Sequence, residues 1–95
     1  MRVLEWTGAA LQDLEKIDAW LTAKAGPDTA IRMLVAIRAR ADFLLDFPGG
    51  GPFLHNEMHS LRVGNTPYSL VYRVLREERI EIVRVFHAAQ DWRDE

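Results

Sequence analysis

The chain is expected to fold as an α+β unit of order β-α-α-β-β-β, with an N-terminal helical hairpin packed on a small antiparallel sheet. Three observations point there. Residues 9–44 carry two apolar stripes at helical spacing, interrupted by Gly26-Pro27. Beyond Gly49-Gly50-Gly51-Pro52 the composition turns to β-branched and aromatic residues, with a period near two. The breaks inside this second region are short, and short turns make consecutive strands antiparallel neighbours. A length of 95 residues fits one domain over residues 1–95.

Val3-Leu4-Glu5-Trp6 reads as a short edge strand bounded by Thr7-Gly8. Thr7 suits a helix N-cap, because its hydroxyl can accept from the orphan amides of the following turn. From Ala9 to Ala25 the residues Ala10, Leu14, Ile17 and Leu21 share one helical face, while Gln12, Asp13, Glu15, Lys16 and Asp18 fall mainly on the others. Gly26 suits the position past a helix end and Pro27 cannot continue that helix. A second helix is expected to start near Asp28, capped by Asp28 or Thr29. Its stripe is Ala30, Leu34, Ile37, Ala41 and Leu44, and it stops before Pro48. The triple glycine lacks the Lys-Ser/Thr of a phosphate-binding loop and no strand precedes it, so it reads as a flexible connector. Residues 58–63 form the next strand, Asn65-Thr66-Pro67 a turn, and Tyr68 to Leu75 a nearly continuous apolar strand. Arg76 to Arg79 make a charged hairpin turn, and Ile80 to Phe86 the last strand.

Composition narrows the function. Twelve basic residues stand against fourteen acidic ones, for a net charge of −2. Phosphate neutralisation supplies most nucleic-acid affinity, so this balance does not favour a direct nucleic-acid binder. The absence of cysteine removes disulfides, thiolate metal sites and thiol chemistry. The opening MRVLEWTGAALQDLEKID places acids and polar residues ahead of any long apolar run. No stretch approaches the roughly 20 apolar residues of a membrane span, so the expected location is cytoplasmic.

Three segments resemble the ParE/RelE family of toxins. WTGAALQDLEKIDAWL is similar to that family's first-helix pattern "A..DL..I..Y/W". NTPYSLVYRV resembles its "Y.(I/L)VYRV" strand, and IEIVRVFHAAQDW its "I.I..V.HARQ(D/E)" close. Together they span the chain in the right order with matching spacers. The resemblance implies a β-α-α-β-β-β toxin fold and a cognate antitoxin that wraps and neutralises the toxin, giving a hetero-oligomer. It also implies one of two actions: inhibition of DNA gyrase, as for ParE-type members, or cleavage of messenger RNA on the ribosome, as for RelE-type members.

Cleavage through a 2′-hydroxyl needs a base, an acid for the leaving oxygen, and cations facing the phosphorane. By the resemblance, Arg62 and His87 occupy positions that nuclease members use, and Arg73 would complete a candidate set. Ser69, Ala88 and Ala89 stand where those members place arginine, aromatic or basic residues, and alanine moves no proton. The set is incomplete, so no catalytic residue is favoured. The leading expectation is therefore a gyrase-binding toxin. A ribosome-dependent nuclease, or a family member that has lost toxicity, are the alternatives.

The expected partner- or target-binding residues are Tyr72, Arg73, Arg84, His87, Asp91 and Trp92. Tyr72 and Arg73 point to opposite strand faces. Arg73 needs an acid, Glu81 or Asp91, unless it serves a partner, and Arg84 faces the same choice. His87 either bonds locally or contributes to a site. Trp6 and Trp20 adjoin core stripes and are expected to pack. Trp92, in a charged tail, either packs on the sheet edge or anchors an interface. His55-x-Glu57-x-His59 offers two imidazoles on one strand face but lacks further ligands, so no metal or other cofactor is expected. Finally, the strand YSLVYRVL is apolar on both faces and one helical hairpin covers only one. A partner covering the other face is therefore expected.

Overall fold

The computed structural model describes residues 2–52 and 57–88, apart from the side chain of residue 77. The element order is β1 (Val3–Trp6), α1 (Gly8–Ala25), α2 (Pro27–Phe43), β2 (His59–Arg62), β3 (Tyr68–Leu75) and β4 (Arg79–His87). This is the expected β-α-α-β-β-β order. The sheet, however, is mixed rather than wholly antiparallel. Its strands run β1-β4-β3-β2, and β1 lies parallel to β4 from Val3↔Arg79 to Trp6↔Ile82. The meander β2-β3-β4 is antiparallel, as its short turns dictate. No turn joins β1 to its neighbour, since the helical hairpin and two strands intervene, and its four residues carry no signal of direction.

Thr7 caps α1 by accepting from the Ala10 amide at 3.1 Å. Ala10, Leu14 and Leu21 are buried and Ile17 is half-buried, so the stripe faces the sheet. Gly26 closes the helix with φ +95°, where a side chain would be strained, and its N–H donates to the Thr22 carbonyl at 3.1 Å. α2 begins at Pro27, one residue earlier than expected, and neither Asp28 nor Thr29 caps it. Proline fits the first helical position because its missing N–H has no partner there and its φ is already helical. Ala30, Ile37 and Ala41 of α2, with Leu44 just beyond, are buried. They meet Leu61, Leu70, Tyr72, Ile80, Ile82 and Val85 of the sheet, and Val63 just past β2, in one core.

The glycine-rich connector is tethered rather than loose. Tyr72, in the core, accepts from the Gly51 amide at 2.9 Å and donates to the Pro48 carbonyl at 3.0 Å. A Cβ at Gly51 would stand 2.0 Å from the Ser60 carbonyl oxygen, so only glycine fits this close approach. Between Arg76 and Glu78 the chain makes a 3-10 turn, with Glu78 at φ 60°. The β3–β4 register steps from Val71↔Arg84 to Tyr72↔Ile82, which leaves Val83 as a bulge residue.

The sheet face turned away from the helices departs from expectation. One end carries ion pairs, Arg79–Glu5 at 2.6 Å and Arg73–Glu81 at 2.7 Å. Val71 and Phe86 are only 2% and 3% exposed. The large apolar side chains that do reach solvent include Leu11 and Trp20 on α1, Ile31 and Val35 on α2, and Phe47 after it. Much of the apolar surface available to a partner thus belongs to the helical hairpin. Among the described residues, no helix is long and apolar enough to cross a membrane.

Candidate partner-binding cleft

β1 stops opposite Ile82, so β4 runs on from Val83 with no described strand on that side. The start of α1 takes over the backbone groups there. Thr7 donates its amide to the Ile82 carbonyl at 3.0 Å and its hydroxyl to the Val83 carbonyl at 2.7 Å. Nearly two turns on, Asp13 Oδ2 accepts from the Val85 amide at 2.9 Å. The same carboxylate receives Arg84 twice, Nε to Oδ2 at 2.8 Å and Nη2 to Oδ1 at 3.0 Å. Asp13 is 8% exposed, and a carboxylate so placed is tolerable only with donors of this number and charge. Spacing held the clue to its burial. Asp13 lies three residues after Ala10 and one before Leu14, inside the buried stripe rather than opposite it.

Beside this seam lies a cleft of about 440 Å³. One wall is the α1 flank of Asp13, Lys16, Ile17 and Trp20; the other is formed by Tyr68, Val85 and His87 at the strand ends. Trp20 is 54% exposed, so it lines the cleft instead of packing in the core as its stripe-side position suggested. The Tyr68 ring meets His87 edge to face at 5.4 Å between centroids. Burial raises the Tyr68 pKa above its ordinary value, so the phenol is neutral at physiological pH. Both Asp13 oxygens are committed to Arg84 and Val85. What remains is an apolar trough with a lysine and an imidazole on its walls, a shape suited to an amphipathic peptide that offers an apolar side chain and an acid.

The other expected site residues are dispersed. Arg62 pairs in register with Ser69, and Arg73 with Glu81, on the sheet face away from the helices. His87 pairs with Tyr68 and shares the opposite face, because strand side chains alternate. Arg62, Arg73 and His87 therefore do not converge on one phosphate. Glu81 holds the Arg73 guanidinium, with Nε to Oε1 at 2.7 Å. Arg84 is drawn to Asp13 and stacks at 4.8 Å over Phe86. Tyr72, expected at a partner surface, is 0% exposed and tethers the connector; it offers no surface for contact. Its neighbour His59 stacks on it at 5.2 Å, with Nδ1 3.1 Å from the Gly51 carbonyl oxygen. His55, Ala89, Asp91 and Trp92 lie outside the described residues.

Comparison with known proteins adds independent findings. Residues 4–92 match the family model described as the ParE toxin of the type II toxin–antitoxin system, parDE. Among solved structures the chain is similar to the chromosomal ParDE toxin–antitoxin system from P. aeruginosa, with a TM-score of 0.82 and 24% identity over 92% of this chain and 96% of that one. It is also similar in fold to the intact E. coli RelBE toxin–antitoxin complex, with a TM-score of 0.58 and 17% identity over 95% of this chain and 100% of that one. For YafQ from E. coli strain BL21(DE3) the TM-score is 0.59, with 15% identity over 94% and 96% of the two chains. No curated protein sequence matches. At these identities the structural likenesses establish the fold.

Proposed function

This chain belongs to the ParE toxins of type II toxin–antitoxin systems, and from that premise we propose that it arrests growth by binding DNA gyrase and is neutralised by a cognate antitoxin. The supporting observation is the division of the candidate nuclease residues between two faces of the sheet, Arg62 and Arg73 on one and His87 on the other. Cutting RNA requires an acid, a base and cations around a single phosphate, and this division keeps them apart. Action by binding requires only a surface. A net charge of −2 fits a protein target better than a polyanion.

The antitoxin is taken to be a ribbon-helix-helix protein whose amphipathic tail fills the cleft beside β4. Trp20, Ile17 and Val85 would hold its apolar side chains, and Lys16 an acidic one. Such a hetero-oligomer works in the cytoplasm, where gyrase is found, and would serve to stabilise a plasmid or to slow growth. The test is a supercoiling assay with purified gyrase and relaxed plasmid. Micromolar toxin should abolish supercoiling and equimolar antitoxin should restore it. Gyrase left fully active at that concentration, with transcripts cut in a translating extract, would overturn the reading in favour of a nuclease.

A further inference from the structure

Positions 27, 31, 35, 39 and 43 of α2 lie on a single i, i+4 ridge, and all five are apolar: Pro27, Ile31, Val35, Ala39 and Phe43. Ile31 and Val35 are 58% and 60% exposed, and Ala39 is exposed between Val35 and Phe43. The fold uses only the end of this ridge, where Phe43 packs against the core; α2 otherwise buries Ala30, Ile37 and Ala41 on another face and leaves Ile31 and Val35 unused. None of the ridge residues lines the cleft beside β4.

We propose that the ridge is a homodimer interface, with a second copy of this chain crossing it antiparallel. Charge selects both the occupant and the register. Asp28 and Arg38 flank the exposed aliphatic pair, and neither makes an ion pair among the described residues; the Arg38 guanidinium rests loosely, 5.9 Å from the Trp6 ring centroid. In a two-fold crossing centred beside Met33, Ile31 faces Val35 of the second copy and Asp28 faces Arg38 of the second copy. Each contact occurs twice, as in any isologous interface. Slipping the two helices by about one turn, which centres the crossing on Val35, would set Asp28 against Asp42 and Arg32 against Arg38, like charge on like. Ridges at i±4 spacing interdigitate when helices cross near −50°, and the small Ala39 lets the backbones approach. A crossing this short buries less than about 1,200 Å², so association should be weak and dependent on concentration. The cleft stays open on each copy, and the dimer would carry two antitoxin segments.

Sedimentation velocity on the purified full chain, from about 10 to 500 µM, tests this. The wild type should shift from monomer to dimer across that range. Ile31→Glu should remain monomeric throughout. Asp28→Arg and Arg38→Asp, each alone, should also remain monomeric, since each sets like charges together twice. Mixed in equal amounts, those two variants should recover the dimer, because the heterodimer regains both opposite-charge contacts. These two substitutions are on the solvent side of α2, and circular dichroism checks that each variant is folded. A wild type that stays monomeric at the highest concentration, or a dimer indifferent to the charge reversals, or a mixture that fails to associate, would overturn the proposal.

Discussion

Asp13 accepts three hydrogen bonds, two from Arg84 and one from the Val85 amide. Removing it takes the carboxylate from the Arg84 guanidinium and leaves the Val85 amide without this acceptor. Arg84 keeps 27% of its side-chain surface in water, which softens the loss. Asp13→Ala should therefore cost roughly 2–3 kcal/mol in urea unfolding, less than for a fully buried pair. Asp13→Asn, which keeps an acceptor for Val85, should cost less than Asp13→Ala. Tyrosine burial sets a pH limit. Tyr68 and Tyr72 both have pKa values raised above 10.0 by burial, and the Gly51 amide only partly offsets this at Tyr72. The unfolded chain then ionises first. The stability these phenols contribute is intact below pH 10 and is lost as pH rises through their folded values. Thermal midpoints measured from pH 8 upward should fall beyond about pH 10, and less steeply in Tyr68→Phe. At this scale the apolar stripes were legible, because spacing alone assigns them. Asp13, Gly51 and Tyr72 were not, because their roles come from residues 21 to 72 positions away.

Thr7 joins two elements. Its hydroxyl caps α1 through Ala10 and donates to the bulged Val83 of β4, so the helix begins where the parallel strand pairing ends. Thr7→Ala should cost about 1–2 kcal/mol, the upper part of the range for a lost cap, since a β4 carbonyl also loses its donor. Thr7→Ser should retain most of that stability; equal losses for the two variants would show that the methyl packing matters rather than the hydroxyl. Element boundaries were largely legible: β1 and β3 match their expected limits, and the remaining helix and strand ends lie within a residue or two. The parallel direction of β1 was not, since only the sheet edge left open by β4 decides it. The start of α2 was misplaced because a Gly-Pro pair was read as a stop alone, when Pro27 both ends one helix and opens the next.

For the whole molecule, the placement of exposed apolar residues replaces the expectation of a bare sheet face. A sequence shows that a strand is apolar on both sides, but not that ion pairs and burial already account for its outer face. It also cannot show that Trp20 turns to solvent beside the end of β4. If this cleft receives the antitoxin, Trp20→Ala and Lys16→Glu should each weaken the complex at least about tenfold by calorimetry, the loss expected of an anchor residue or a reversed charge. Both should leave the toxin folded. The division of Arg62 and Arg73 from His87 is also tertiary, arising from the pairing of Tyr68 with His87 and Ser69 with Arg62 on alternate faces. It supports the central claim that this chain harms its target by binding and not by chemistry. A short pulse of expression without antitoxin tests that claim most directly, by comparing chromosomal DNA and transcripts within minutes of induction. Broken or relaxed DNA alongside intact messages is the predicted result. Messages cut within codons while the DNA stays intact and supercoiled would contradict it.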